Sequence, residues 1–400
     1  MPSAGWEFEF VDRLLRKGLE VDDLGTMLEQ FSQGLLEKGI PLLTTRIGMP
    51  AIDPTSSFLV SDWWRRGERP SARTSSDLQS TSSYLQSPIH DLLQRNRTGE
   101  RWKIEDPEIA GRFPIFKELR ERGATEYALA LLAFSGGRTA LRGIALTMVT
   151  DTPGGFKEGE VEVVTRLLPA LGLAAYRIGL LGVATETLGA YLGPFTGNQV
   201  LQGMIHRGDS RTISAALLLA DLRGFTALVD RIGTNAAMAW LNDYLEAMAD
   251  PVAEHGGEVL KFLGDGLLAV FPVSAEAGKA CDAAMDAAKE IRARMKSLND
   301  HRGSSELRSD VVVVLHFGEV IYGNIGAAQR LDFTVIGQAV NEASRMEALA
   351  KSLGKDILLS ESFARRCAHP VDSIGSHTLR GVAGDREIFV LASEAGRADR

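Results

Sequence analysis

Residues 214–226 read SAALLLADLRGFT, an apolar run that ends in an aspartate and a glycine turn. The run predicts a buried strand over 214–222, and Gly224 permits the sharp turn after which Phe225 opens a helix. A carboxylate at the end of a central strand, here Asp221, is a common ligand position in sheets flanked by helices. The alternative for Asp221 is a simple helix N-cap, because aspartate is preferred there.

A second carboxylate, Asp265, follows in EVLKFLGDGLLAVF, residues 258–271. Asp-Gly between two apolar strands is typical of a tight hairpin turn, so Asp265 alone is explained as a turn residue. Together with Asp221 it offers two carboxylates on adjacent strands, which suits hard divalent cations. Strand alternation predicts that Lys261 shares an apolar face with Val259, where the alternative is a lysine at a sheet edge with its ammonium in water.

A third cluster lies in RLDFTVIGQAVNEASRMEAL, residues 330–349, which predicts a strand followed by a helix. Asn341 and Arg345 are four residues apart on that helix and therefore project from one face. An amide beside a guanidinium suits oxygen atoms that gain negative charge on phosphorus. An exposed polar pair with no ligand is the commoner meaning of this spacing.

Strands and helices alternate from about residue 212 onward. We predict strands at 214–222, 258–262, 267–271, 311–317, 331–336, 356–360 and 386–392, and helices at about 225–249, 275–298 and 338–353. This order indicates an α/β sandwich, a mixed sheet with helices on one face.

Four segments in register resemble a known family. They are ADLRGFT, EVLKFLGDGLLAVF, HFGEVIYGNIG and DFTVIGQAVNEASRME. In this order and at these intervals they are similar to the catalytic domain of class III nucleotidyl (adenylate and guanylate) cyclases. The resemblance covers 212–392 and implies a palm-like, ferredoxin-type mixed sheet.

The resemblance also implies roles for the residues around the first two segments. Asp221 and Asp265 are implied to hold two Mg²⁺ or Mn²⁺ ions. The backbone through Gly224 and Phe225 is implied to cradle phosphates at a helix N-terminus, where N–H groups favour anions. A basic residue near the last strands is implied to meet the terminal phosphates; Arg380 is our first candidate and Arg386 the second.

The remaining roles concern the base and the transition state. Lys261 and Thr334 are implied to bind the adenine edge, Asn341 to position the ribose or the transition state, and Arg345 to stabilise the charged phosphorus centre. Adenine presents an acceptor at N1 and a donor at N6, which suits a lysine with a hydroxyl, whereas guanine presents a donor at N1. The prediction is therefore an adenylate cyclase, a phosphorus–oxygen lyase that converts ATP to 3′,5′-cyclic AMP. A guanylate cyclase and a nucleotide-sensing module without catalysis are the alternatives.

In this family two catalytic domains meet head to tail, and each site takes metal ligands from one domain and base and transition-state residues from the other. This chain has one such domain that contains both sets of residues. The resemblance therefore implies a homodimer with two equivalent sites.

The N-terminal half contains apolar strands in 125–137 and 142–156, joined by a Gly-Gly turn, and then a helix with acidic residues in its first turns. This pattern resembles the end of a GAF-type α/β sensor domain. A pocket for an unidentified small-molecule effector and a domain that only dimerises are both compatible with it.

The chain has 400 residues, 44% hydrophobic and 24% charged, which is typical of a soluble protein of two domains. A net charge of −8 argues against binding to nucleic acid or to an anionic membrane face. The two cysteines, Cys281 and Cys367, lack disulfide or zinc spacing, and the start resembles no export signal, so we predict a cytoplasmic protein. The predicted divisions are a regulatory domain at 1–166, a helical linker at 167–211, the catalytic domain at 212–392 and a tail at 393–400.

The linker begins with a long apolar segment, residues 167–192, interrupted by Pro169, Arg177 and Glu186. A membrane span needs about 18 or more apolar residues with few or no charges, so we predict a helix that does not span a membrane. Apolar residues recur along it at 3-4-3 spacing, at positions 181, 184, 188 and 191. That seam suits either pairing with a second copy or packing on its own domain.

Overall fold

A computed structural model describes residues 5–50, 58–67, 73–75, 82–135, 141–302, 308–327, 329–382 and 384–392. The chain divides into two compact units, Met1–Thr187 and Leu188–Arg400. Each unit is built around its own sheet.

The N-terminal unit combines short and long helices with one antiparallel sheet. Its helices are α1 (Gly5–Glu20), α2 (Leu24–Glu37), α3 (Ser82–Leu85), α4 (Pro88–Gln94), α5 (Pro107–Ala110), α6 (Pro114–Glu121) and α7 (Glu160–Leu192). Its strands are β1 (Thr44–Pro50), β2 (Phe58–Trp64), β3 (Arg73–Ser75), β4 (Gly99–Lys103), β5 (Glu126–Ala133) and β6 (Gly143–Thr150), in the order β3-β2-β1-β6-β5-β4.

Both faces of this sheet are covered because β5 and β6 are apolar on both sides. Helices α1, α2 and α7 pack on one face, and α4 and α6 pack on the other. The two strands predicted in 125–137 and 142–156 are present and pair with each other, while the Gly-Gly turn between them lies outside the described residues. The likeness to a GAF domain stays a prediction.

Helix α7 contains the segment predicted as a helix, and Glu160 and Glu162 occupy its first turn as expected. By length and composition α7 is apolar enough to cross a membrane, but 50% of its most apolar window is buried. Its residues from Val164 to Ile178 pack into the core of the N-terminal unit. Such burial is common for a core helix, and one helix of this kind does not show a membrane span.

The C-terminal unit contains the strands and helices that carry the predicted site. Its helices are α8 (Pro194–Leu201), α9 (Phe225–Ile232), α10 (Thr234–Glu254), α11 (Ala277–Arg302), α12 (Gln338–Leu353) and α13 (Glu361–Ala364). Its strands are β7 (Ser210–Leu222), β8 (Glu258–Leu263), β9 (Gly266–Pro272), β10 (Val311–Ala327), β11 (Arg330–Ile336), β12 (Ile357–Ser360), β13 (Val371–Thr378) and β14 (Asp385–Leu391).

The sheet of this unit has the order β13-β14-β12-β10-β7-β9-β8, and β11 pairs with the C-terminal part of β10, residues 321–327. It is mixed, because β10 and β12 are parallel while the other neighbours are antiparallel. The central strands β7 and β10 form its apolar middle, as the run at 214–222 predicts.

The prediction of helices on one face only is wrong. Alternate residues of β7 point to opposite faces, and both sets are buried. Helices α10 and α11 cover the face of Ala216, Leu218 and Ala220, whereas α12 packs on the opposite face. A continuous apolar run such as 214–222 is typical of a strand buried on both sides.

Two further predictions differ from the structure in detail. The single helix predicted over 225–249 is two helices, α9 and α10, because Gly233 between them has φ +79°. Strand β13 was missed, since its exposed polar residues give no apolar run.

Candidate active site

Asp221 and Asp265 lie beside each other at one end of the central strands. Asp221 is the second-to-last residue of β7 and pairs in register with Gly266 of β9. Asp265 occupies the turn just before Gly266. A Cβ atom on Gly266 would lie 2.6 Å from Oδ1 of Asp221, so glycine is the residue that permits this approach. The N-cap of α9 is Gly224, and Asp221 is therefore not the helix cap that the alternative reading required.

The two carboxyl groups are close enough for the charge of one to act on the other. Burial, followed by the negative charge of Asp221, raises the pKa of Asp265. Two carboxylates that repel each other at the end of a sheet form an oxygen donor set that a hard divalent cation would neutralise. The residues present therefore fit a divalent cation.

Helix α12 places Lys351 beside Asp221, a neighbour that sequence reasoning missed. The ammonium of Lys351 donates to Asp221 Oδ2 and, at 2.8 Å, to Oε1 of Glu347. A cation that binds Asp221 must share the carboxylate with Lys351 or displace it. Lys351 and Asp221 are 130 residues apart in the chain, so no local pattern in the sequence indicates their contact.

The turn after Asp221 has the conformation expected from its glycine. Gly224 has φ +77°, and Phe225 begins α9 with its ring stacked on Trp240 at 5.7 Å between centroids. The first turn of α9 therefore follows directly on the strand that carries Asp221. Its role as a phosphate cradle stays a prediction.

Lys261 does not have the apolar setting that strand alternation predicts. A register shift between Val259 and Lys261 interrupts the alternation, and the Lys261 ammonium donates to Asp332 Oδ2 at 2.6 Å. Asp332 and Thr334 are two residues apart on β11 and so share a face of that strand. The structure thus brings Lys261 to the strand face that carries Thr334, which is 3% exposed.

Asn341 and Arg345 both lie on the exposed side of α12, opposite the buried residues Ala343 and Met346. Within the described part of the chain, neither side chain makes a hydrogen bond or ion pair, including to Asp221 or Asp265. The structure therefore brings the two aspartates together, whereas the amide and the guanidinium are exposed and bond to none of the residues that the structure describes.

The two basic candidates for the terminal phosphates differ in their surroundings. Arg380 is exposed in the turn between β13 and β14, next to the buried Leu379. Arg386 on β14 donates through Nε to Oε1 of Glu342 on α12 at 3.0 Å. Arg380 is therefore the more accessible of the two.

Comparison with known proteins agrees with this geometry. Residues 209–393 match the family model described as the adenylate and guanylate cyclase catalytic domain. An adenylate cyclase of Anabaena cylindrica is 36% identical over 171 residues, which is 42% of this chain and 33% of that protein. Adenylate cyclase 1 of Rhizobium meliloti is 27% identical over 194 residues, which is 45% of this chain and 29% of that protein.

Among solved structures, the adenylyl cyclase CyaB from P. aeruginosa is 27% identical and covers 45% of this chain and 94% of that chain, with a TM-score of 0.41. This chain spans a third or less of the two curated relatives, 33% and 29%. The family match begins at the start of β7 and ends just after β14. Residues 209–393 are therefore a class III nucleotidyl cyclase catalytic domain.

Proposed function

We propose that the protein is an adenylate cyclase that forms 3′,5′-cyclic AMP and pyrophosphate from ATP, with two Mg²⁺ or Mn²⁺ ions, at sites shared by two copies of the chain. One observation supports this most strongly: Asp221 and Asp265 converge, whereas Asn341 and Arg345 are exposed and contact neither of them. A site that uses all four side chains needs a second subunit.

In the reaction the ribose 3′-oxygen forms a bond to the α-phosphorus of ATP, the bond from that phosphorus to the β-phosphate bridging oxygen breaks, and the 3′-hydroxyl loses its proton. Divalent cations held by Asp221 and Asp265 would supply charge neutralisation and lower the pKa of the attacking hydroxyl. The Arg345 guanidinium donates to the phosphoryl oxygens as their charge grows, and Asn341 orients the ribose. The N–H groups at the start of α9 hold the phosphates.

The choice of ATP over GTP depends on Lys261 and Thr334. Asp332 holds the Lys261 ammonium at 2.6 Å and so fixes a donor beside the face of Thr334. A donor facing the base suits the N1 acceptor of adenine and is mismatched with the N1–H of guanine, and the Thr334 hydroxyl can accept from the adenine amino group.

Product analysis tests this proposal. Full-length protein incubated with ATP or GTP and Mn²⁺ is expected to form cyclic AMP much faster than cyclic GMP, and Asp265→Asn should abolish both. Faster formation of cyclic GMP would make the protein a guanylate cyclase. Nucleotide binding without a cyclic product would make it the nucleotide-sensing module.

We also propose that the N-terminal unit binds a small-molecule effector. A cavity of about 830 Å³ lies between the sheet and helices α4 and α6. Its walls are largely apolar, with Ile89, Leu93 and Ile115 on the helix side. This volume is within the usual range for drug-sized ligands.

Two polar pairs line the same cavity. Arg46 forms a two-point ion pair with Asp62, and the hydroxyls of Tyr127 and Thr147 are 3.1 Å apart. They suit a mostly apolar molecule with one or two hydrogen-bonding groups. Mass spectrometry of small molecules released from denatured full-length protein, compared with Ile115→Trp, tests this site. The proposal is supported if the wild type alone releases a molecule and adding that molecule back changes the rate of cyclic AMP formation. It is contradicted if no molecule is released and the wild type and Ile115→Trp form cyclic AMP at the same rate.

A further inference from the structure

A cluster of metal-ligating side chains lies outside the candidate active site, on helix α11 and the segment after α13. Potential ligand atoms of Asp282, Cys367 and His369 all lie within 4.8 Å of one another. Asp282 is on α11, whereas Cys367 and His369 precede β13. Three different donor types from two separate segments therefore meet at one point.

Hydrogen bonds hold this arrangement in place. Oδ1 of Asp282 accepts the backbone N–H of Ala368 at 2.7 Å, which ties the loop between the two ligands to the helix. Burial, together with the nearby carboxyl groups of Asp282 and Asp286, raises the pKa of the Cys367 thiol to about 11. A metal ion binds the thiolate, so it has to displace the thiol proton as it binds.

The His369 ring is oriented by a second carboxylate. Its Nε2 lies 3.2 Å from Oδ1 of Asp286, one helical turn beyond Asp282 on α11. With Nε2 on Asp286, the ring would offer Nδ1 to a metal ion. In this position Asp286 orients the imidazole, as carboxylates do beside many metal-bound histidines. The same carboxylate lies 3.9 Å from Lys289.

We propose that Asp282, Cys367 and His369 bind Zn²⁺, with water in the fourth position. Thiolate, imidazole and carboxylate are the donors that zinc uses, whereas Mg²⁺ takes oxygen ligands such as those of Asp221 and Asp265. Binding releases the thiol proton to solvent and joins α11 to the segment that leads into β13. The two cysteines lack zinc spacing in the sequence, and the site exists because folding brings Cys367 to the helix that carries Asp282.

Cobalt absorption tests the site without reference to cyclase activity. Metal-stripped full-length protein is titrated with Co²⁺ in excess Mg²⁺, since only a cobalt–thiolate bond gives the sulfur charge-transfer band. We expect this band in the wild type and its loss when Zn²⁺ is added. Cys367→Ser should abolish it, whereas Cys281→Ala, which removes the other thiol, should retain it.

A second variant separates metal binding from folding. His369→Gln should weaken Co²⁺ and Zn²⁺ binding by roughly tenfold or more. Zn²⁺ should raise the unfolding temperature of the wild type and of Cys281→Ala, but not that of Cys367→Ser. The proposal is overturned if the wild type gives no thiolate band, or if the band and the zinc-dependent stabilisation persist in both Cys367→Ser and His369→Gln.

Discussion

Arg345 is exposed on α12 and forms no hydrogen bond or ion pair with any described residue, so its side chain contributes little to the fold. Arg345→Ala should leave the unfolding midpoint almost unchanged, since exposed substitutions without contacts usually change stability by less than about 0.5 kcal/mol. Its guanidinium acts on charge that develops in the transition state, so kcat should fall by about a hundred- to a thousandfold with a small change in KM. Steady-state kinetics with ATP check this split; a raised KM with unchanged kcat would mean that Arg345 only binds substrate.

His316 is a buried titratable group whose Nδ1 has no hydrogen-bond partner among the described residues. Burial lowers the pKa of His316, against the opposing effect of Glu342 and in the same direction as Arg386. Below about pH 6.5, the usual histidine pKa, the unfolded chain binds a proton that the folded chain does not. The free energy of unfolding should therefore fall as the pH drops from that value toward the lower pKa of the folded state.

The control for this pH dependence is His316→Gln, which keeps a polar side chain but does not titrate. Urea unfolding between pH 7.5 and pH 5 should show a smaller loss of stability in the variant than in the wild type. Equal pH dependence in both proteins would show that His316 does not titrate differently on folding.

At the scale of single residues, the sequence predicted the convergence of Asp221 and Asp265 because each follows an apolar strand at a turn. It did not predict the contact of Lys351 with Asp221, or that of Asp332 with Lys261. Those partners are set by how α12 and β11 pack, and side-chain pairing across such distances leaves no periodic signal.

Helix α8 is attached to the catalytic sheet by one buried carboxylate. Glu258 of β8 accepts from the backbone N–H of Phe195 at 2.7 Å and from both the N–H and hydroxyl of Thr196. The Thr196 hydroxyl also lies 2.6 Å from the hydroxyl of Tyr322 on β10. The start of α8 is thus bonded to two strands of the sheet.

Glu258→Ala should destabilise the protein, because the donors at the start of α8 lose a buried acceptor. The expected loss is about 2–3 kcal/mol, the usual cost of leaving such groups without a partner. Glu258→Gln keeps the shape and one acceptor oxygen, so it should cost less. The midpoints of chemical unfolding measure both, and equal stability of Glu258→Ala and wild type would contradict an anchoring role.

At the scale of elements, the central strands were predicted from their apolar runs. The predicted bounds of α12, 338–353, agree with the structure. Residues 318–327 of β10 and strand β13 were not predicted, because they include exposed and polar residues and are stabilised by neighbouring strands. The break at Gly233 was missed because the apolar pattern continues across it.

At the scale of the whole molecule, the proposed active site requires two copies of the chain. Large apolar side chains stay exposed on α7, among them Leu181 at 36% and Tyr191 at 79%, two positions of the predicted seam. A second copy of the chain would cover these side chains. It would also bring Asn341 and Arg345, which are exposed, to the aspartates of its partner. The sequence predicted this assembly only through the family resemblance, since a single chain's pattern does not specify its partner.

Mixing two inactive variants tests shared sites most directly. Lys261→Ala removes a base contact and Asp265→Ala removes a metal ligand, so each homodimer should be inactive. After subunit exchange, half of the dimers are mixed and each mixed dimer has one intact site, so activity should return to roughly a quarter of the wild-type value. A mixture that stays inactive, while differently tagged subunits copurify as heterodimers, would contradict sites built from two chains.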